Sequence, residues 1–573
     1  MHDTFDHVVV GGGTAGCVLA NRLSADPANR VLVIEAGGND VSPYIHVPAG
    51  LMRLQKKYNW RYAAEPDASR YGAVDHWAAG RVLGGSSSIN GMLWVRGDPS
   101  DFDRWSEAGC DAWDHAHVLP YFARAESYER PGDPERGTGG PQHVSHLRGI
   151  HPLTEEFVAA AVECGYPYDP DYNAGRHDGV SHAQVSQRGG RRDSTATAYL
   201  WPVRRRRNLK VVTHAVVERI VIERGRARGV DYVVRGTRHR VHADREVVVA
   251  AGTLASPKLL MLSGVGSGDA LTELGVPVVA DSPEVGRNLQ EHPHSMMSWH
   301  VDVPTLNVDV GPAAVLRHGL EYGLRRSGPA ASAPGHALVF TQSRAMSSGP
   351  CDYQITFSPL AFKIPDATAD AGDEAVHDVN EVLLHDRPAV NVIQCVLHPD
   401  ARGTVTLRSA DPAAPIRLEH EVVGVERDLA RLVEVSNMSR EIMSAPAMAR
   451  HVLDERIPGP LVDSDATMRE FIRFASWRGE HAVGTCRMGG DEESVVAPDL
   501  SVRGVNGLRV VDASVFPTLT SGNTSATVVM VAEKGADLVL GRAAPVARVV
   551  GEPAAHATTG RVRVRPEERG RTR

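Results

Sequence analysis

The chain has 573 residues, 42% of them hydrophobic and 23% charged, with a formal net charge of −8; a mini-protein, a coiled coil and a fully disordered chain are excluded. A chain this long buries a large core without a disulfide or metal staple, and its acidic balance offers no whole-chain basic surface for nucleic acid. The six cysteines, Cys17, Cys110, Cys164, Cys351, Cys395 and Cys486, are irregularly spaced with no C-x-x-C pair, so neither a disulfide framework nor a four-cysteine zinc site is expected, and a reducing, cytoplasmic setting is.

The N-terminus carries acids where an export signal is basic, and no run approaches the ~18 apolar residues of a membrane helix. His7 to Val10 reads as a strand, Gly11-x-Gly13-x-x-Gly16 as a turn, Cys17 to Leu23 as a helix, and Val31 to Ile34 as a second strand ending in Glu35. Residues 40–80 read as irregular. A second glycine-rich turn runs from Gly80 to Ser88, and 126–150 as an exposed polar loop. Strands are expected at 211–213, 216–223, 229–234 and 247–250, then a turn at Ala251-Gly252 into a helix at Ser256 to Leu260. Arg204 to Arg207 reads as an exposed basic turn. Residues 300–400 give mixed signals, Ser525 to Gly541 reads as an amphipathic helix, and 542–573, with eight arginines and three glutamates, as a disordered basic tail.

Two places carry chemistry. A pyrophosphate needs backbone N–H groups at close range and the positive end of a helix dipole, and side chains would block that approach; Gly11, Gly13 and Gly16 between strand and helix supply this. Glu35 stands where a carboxylate accepts both ribose hydroxyls, which favours FAD or NAD over a 2′-phosphorylated dinucleotide. Near the C-terminus, His481 precedes a strand ending in Asp512 and a polar turn, Thr520 to Ala526, that opens a helix. By itself His481 is one of 26 histidines and reads as structural, and Asn523 by itself reads as a turn or helix-cap residue.

Four blocks resemble the glucose–methanol–choline (GMC) family of flavoenzymes, in its choline-dehydrogenase-like and alcohol-dehydrogenase-like branch. They are Asp6–Leu23 with Glu35; Gly80–Met92; Ala251–Gly264 with Gly286–Pro293; and His481–Gly489 with Pro517–Lys534. The resemblance implies an α/β chain, α+β overall. A Rossmann-like FAD-binding domain is built from discontinuous segments (1–295, with an excursion near 150–200, and 461–541), and a substrate-binding domain on a mixed or antiparallel sheet occupies 296–460. It implies FAD held by Gly11, Gly13, Thr14, Ala15, Gly16, Glu35 and Ala36; by Val217, whose backbone meets the adenine; by Arg81, Val82, Gly84, Ser86, Asn90, Gly91, Met92 and Leu93; and by Ala251, Asp512, Ala513, Thr524 and Ala526. His481 is then the base that takes the proton of an alcohol, with Asn523 beside it, and hydride passes to the flavin.

Ile89 occupies the place where some members tether the flavin through histidine, so a non-covalent cofactor is expected. Ala482 replaces a frequent proline, which loosens the backbone at His481. Trp60 and Trp477 read equally as pocket walls or core. Cys486 reads as a small buried residue, and His292 and His294 as part of a structural turn rather than metal ligands. The expected partners are a small alcohol and an electron acceptor (a quinone, a carrier or O₂), with no nucleic acid and no integral membrane segment. An oxidase producing hydrogen peroxide is the close alternative. A lyase of the hydroxynitrile type that keeps FAD only as structure, and a redox-inert binding protein, are the more distant ones.

Overall fold

Four consecutive β-favouring apolar residues ended by glycines make a buried parallel strand, and this determines how the chain begins. The computed structural model describes residues 4–130, 133–345, 349–362 and 384–545; the expected basic tail lies, from residue 546 on, outside the described residues. Strand β1 (Thr4–Val10) turns into helix α1 (Thr14–Leu23), and β2 (Val31–Ile34) follows. Next come α2 (His115–Ala125), β3 (Glu126–Tyr128), β4 (Gln142–His146), α3 (Pro152–Glu163) and β5 (Gly179–His182). Strands β6 (Leu209–Val212), β7 (Ala215–Glu223), β8 (Arg226–Val234) and β9 (Thr237–Val249) lead into α4 (Ala255–Leu262). Then come β10 (Pro293–Val301), α5 (Pro312–Arg325), β11 (Ala337–Thr341), β12 (Tyr353–Ser358), β13 (Ala389–Val396) and α6 (Glu426–Ser444). The last are β14 (Val452–Ile457), α7 (Asp465–Ala475), β15 (Trp477–Arg478), β16 (Leu508–Val510) and α8 (Ser525–Leu540).

Two sheets organise these elements. The first has the order β6-β2-β1-β9-β8-β7, with β16 also on β9. Strand β9 is long enough to serve two kinds of partner. Its first half pairs antiparallel with β8, and its second half runs parallel to β1 and β16, with Val8 opposite Val247 and Val247 opposite Leu508. The second sheet, β14-β10-β13-β12-β11-β5 with β15 on β10, is antiparallel throughout. Its strands alternate with period two. Met297, Trp299, Val390, Val392, Ile355 and Phe357 face the core packed by α3 and α6, while Met296, Ile393 and Gln354 face the other way.

Two local expectations change. The polar stretch 126–150 is not an exposed loop: β3 and β4 pair in parallel, and Glu126 is wholly buried. Its carboxylate accepts from Arg136 Nε (2.7 Å), Gly137 N (3.0 Å), Trp94 Nε1 (3.2 Å) and Arg96, and these arginines outweigh burial and hold its pKa below the ordinary value. Helix α8 is not amphipathic; every residue from Ala526 to Asp537 is buried between α1 and α2. Its charged residues are buried because partners meet them there. Arg22 and Arg124 reach Glu533, Arg124 also reaches Asp537, and Lys534 donates to the Ala112 carbonyl under Trp113. No helix among the described residues is long and apolar enough to cross a membrane.

Replacing Glu126 by Gln leaves two buried guanidiniums short of a counter-charge. The variant should lose about 3–5 kcal/mol of stability in urea denaturation; an unchanged midpoint would show that the Arg96–Glu126–Arg136 cluster does not brace this region.

Candidate active site

A cavity of about 1190 Å³ lies between the two sheets. From the first sheet its wall takes Gly13, Thr14 and Ala15 after β1, Ala251 and Gly252 after β9, and Asp512 and Ala513 after β16. These are the turns at the carboxyl ends of parallel strands, where open α/β sheets hold their ligands. The second sheet contributes Met296 and Ile393, and the loop Ser86–Leu93 runs along one side.

The local backbone fits a pyrophosphate. Gly11 has φ +104°, and a Cβ there would stand 2.3 Å from the Ala250 carbonyl oxygen; one on Gly16 would stand 1.9 Å from that of Gly11. Only glycine lets α1 start this close to the strands. No side chain caps α1 or α8, so both present first-turn amides and a positive dipole end, and Thr14, Ala15, Thr524 and Ser525 line the cavity. Glu35 accepts from Gly12 N (2.8 Å) and Gly37 N (2.6 Å), and burial raises its pKa to about 7. Asp512 joins two turns: one oxygen accepts from Gly252 N (2.9 Å) and Ser256 Oγ (2.6 Å), the other from Ser514 N (2.8 Å) and Ser514 Oγ (2.5 Å).

Of the residues expected to hold the cofactor, Gly13, Thr14, Ala15, Ser86, Asn90, Gly91, Met92, Leu93, Ala251, Asp512, Ala513 and Thr524 form the cavity wall together with His481 and Asn523. Gly11, Gly16, Glu35, Val82, Gly84 and Ala526 are not part of the wall. Ala36, Arg81 and Val217 do not reach the wall: Arg81 is exposed with its guanidinium 4.5 Å from the Trp60 ring centre, and Val217 pairs with Tyr232 at the start of β7. Trp60 and Trp477 both line the cavity, Ile89 lines it beside Asn90, and burial raises the Cys486 thiol pKa.

His481 sits in a chain of four groups. His292 Nε2 lies 2.9 Å from the Leu397 carbonyl oxygen, His292 Nδ1 lies 2.9 Å from His481 Nδ1, and Asn523 Nδ2 lies 2.8 Å from His481 Nε2. A carbonyl only accepts, so His292 carries its proton on Nε2. Burial lowers its pKa to about 4, so its Nδ1 is bare and accepts from His481 Nδ1–H. The unprotonated nitrogen of His481 is therefore Nε2, the one that Asn523 faces. Burial, with the imidazoles of His292 and His294 adding to it, holds His481 well below the ordinary 6.5. The expected loosening at Ala482 is offset: the Glu291 carboxylate accepts from His481 N at 2.8 Å, and the Ala482 carbonyl accepts from Thr253 Oγ1 at 2.7 Å. His292 belongs to this chain rather than to a purely structural turn.

A second contributor gave no local signal. Arg192 is 2% exposed; it donates to the Ile45 carbonyl (2.9 Å), the Ser87 carbonyl (3.2 Å) and Asn90 Oδ1 (2.7 Å). Asn90 Oδ1 also accepts from Met92 N at 3.1 Å, which leaves the Asn90 amide nitrogen for the cavity. The other buried arginines, Arg70, Arg96, Arg136, Arg431 and Arg478, all have carboxylate partners. Arg192 has none among the described residues, and burial alone lowers its pKa to about 9.

Family models described as GMC oxidoreductase match residues 5–294 and 399–532. The mitochondrial choline dehydrogenase of Mus musculus is 38% identical over 95% of this chain and 90% of its own length. An oxygen-dependent choline dehydrogenase of Rhizobium johnstonii is 39% identical over 96% and 97%. Among solved structures, pyridoxine 4-oxidase from Mesorbium loti superposes with a TM-score of 0.82 at 32% identity, covering 93% of this chain and 98% of that one. A variant of Aspergillus oryzae formate oxidase gives 0.85 at 27%, covering 94% and 98%.

Arg192→Met removes charge-assisted bonds worth ~1.5–3 kcal/mol each and frees the Asn90 loop. FAD should dissociate at least ~tenfold more readily, read by the flavin fluorescence recovered on dilution; wild-type retention would remove Arg192 from the loop's support.

Proposed function

Because the chain belongs to the GMC oxidoreductase family, we propose that it is an FAD-dependent enzyme that oxidises an alcohol to an aldehyde or ketone, with His481 as the base. The His481 Nε2–Asn523 Nδ2 pair carries this reading. Here the Asn523 N–H donates to the His481 Nε2 lone pair; a hydroxyl taking the place of that bond donates to Nε2 while accepting from the Asn523 amide. His481 Nε2 takes the hydroxyl proton, and Asn523 holds the oxygen as its charge develops. His292 keeps the ring in the tautomer that leaves Nε2 free. The uncapped start of α8 adds its dipole to the same side of the cavity.

FAD, when bound, would supply the two-electron acceptor for the hydride of the alcohol carbon. The residues that would hold it on this reading are Gly13–Ala15 with Glu35, Ser86 and Asn90–Leu93, Ala251, Asp512, Ala513 and Thr524, most of which line the cavity. Isoleucine at position 89 offers no nucleophile, which supports non-covalent binding. On this reading 1–295 and 461–541 form the cofactor unit and 296–460 roofs the substrate. The six free cysteines suit a reducing, cytoplasmic compartment.

The cavity supports an uncharged alcohol over a quaternary ammonium one. Its lining carboxylates are engaged: Asp309 with Arg317 and His318, Glu480 with Arg478, and Asp512 with four donors. The Trp60 ring carries the Arg81 guanidinium. A cationic head group would find no free acid among these lining residues, and the Trp60 face already taken.

His481→Ala should slow anaerobic flavin reduction ~10²–10⁴-fold while retaining FAD. The neutral ring is the active form and its pKa is lowered, so the wild-type kcat/KM profile should stay flat as pH falls through 6.5 and drop only below it; a limb centred at or above 6.5 contradicts the assignment.

A panel of choline, aliphatic, aromatic and sugar alcohols, read by flavin bleaching, should favour the uncharged members. Preference for choline would reverse the substrate reading. Exposure of the reduced enzyme to air in stopped flow then separates the two electron routes, because oxidases and dehydrogenases both occur among the named relatives: slow reoxidation with fast dye reduction is the expected result, and fast reoxidation makes it an oxidase.

A further inference from the structure

Helix α5 spans 14 residues, yet only Ala314 and Tyr322 are buried. It exposes Leu316 at 65%, Leu320 at 58% and Leu324 at 84%. These leucines recur every four residues and therefore form one row along the helix. Single exposed leucines are ordinary; a row of three on a helix without a partner marks a contact surface. The charged groups in the middle of the helix are turned elsewhere. Arg317 and His318 reach Asp309 (2.6 and 2.7 Å), and Glu321 accepts from Ser327 Oγ (3.1 Å).

The surroundings indicate what covers the row. Arg325 and Arg326 are exposed at the end that carries Leu324. A Cβ on Gly190 would stand 2.2 Å from the Arg326 carbonyl oxygen, so the hairpin Gln187–Arg192 lies against this end and adds the exposed Arg188 and Arg191. None of the four forms an ion pair among the described residues. A second copy packed parallel along the row would set these cations against their own counterparts, whereas lipid phosphates neutralise all four at once. A neighbouring face of the same helix opens onto the cavity: Val315 and Gly319 line it with Val310 and Tyr44, and Val315, Val310 and Tyr44 are themselves exposed, which places the mouth here.

We propose that α5 docks the protein on an anionic lipid bilayer. Leu316, Leu320 and Leu324 enter the boundary between headgroups and acyl chains, and Arg188, Arg191, Arg325 and Arg326 meet the lipid phosphates. The cavity mouth then faces the bilayer, and an apolar alcohol enters without crossing water. Docking stands independently of the alcohol-oxidation reading; only the delivery of substrate rests on it.

The test uses the full-length holoenzyme, sedimented with vesicles of phosphatidylcholine–phosphatidylglycerol or of phosphatidylcholine alone. Wild type should bind the anionic vesicles, less at high salt, and the neutral ones weakly. Combining Leu316→Ser, Leu320→Ser and Leu324→Ser should weaken binding roughly 100-fold, and Arg325→Gln with Arg326→Gln roughly tenfold. Both variants should melt like wild type and turn over a small water-soluble alcohol unchanged, since none of these residues lines the cavity. Wild type that ignores the anionic vesicles, a triple-serine variant that binds as well as wild type, or a wild-type dimer in light scattering that the triple change dissolves without any vesicle binding would each overturn the proposal.

Discussion

The proton on His481 has one place to go, and the reacting geometry depends on this. His292 spends its N–H on the Leu397 carbonyl, so the nitrogen it turns to His481 can only accept. His481 must then donate from Nδ1 and present Nε2 bare to Asn523. The three residues come from different parts of the chain: His292 leads into β10, His481 follows β15, and Asn523 precedes α8. The hydrogen-bond direction holds only if the two sheets are correctly seated on each other, because β10 belongs to one and α8 packs on α1, the helix that follows β1 of the other.

Burial works on the same ring from a second side. In water an imidazole is half charged near neutrality; enclosed beside two further imidazoles, His481 is held neutral. Desolvation thus keeps the proposed base in its unprotonated form, and hydrogen-bond direction aims it. Its backbone amide is held separately by Glu291, and the carbonyl of the next residue, Ala482, by Thr253.

Charge balance divides the interior in two. In the frame, buried cations and anions are matched: Arg96 and Arg136 about Glu126, Arg22 and Arg124 about Glu533, and Arg478 with Asp75 and Glu480. Behind the Asn90 loop, Arg192 has only neutral oxygens. A positive charge left unmatched beside two uncapped helix starts makes this side of the cavity favourable to an anion, in keeping with a pyrophosphate and a ring that gains negative charge when reduced.

Much of the cofactor wall was legible because its signals are local. Gly11-x-Gly13-x-x-Gly16 sits between a strand and a helix within a few residues, and steric contact with the adjoining strands requires glycine at Gly11 and Gly16. The buried state of α8 was not legible: Glu533, Lys534 and Asp537 look solvated until Arg22, 511 residues from Glu533 in sequence, is brought against it. His292 looked like part of a turn because its partner is 189 residues away, and Arg192 is 102 residues from Asn90. The sequence alone determined the glycine-rich turn and the parallel β1–α1–β2 start, and its family resemblance singled out His481 as the candidate base. Only the tertiary structure decided which nitrogen of that base is free, which buried charges are matched and which helix face is left to solvent, because each of these is a contact between distant segments, and a proton or a charge responds to its neighbours in space.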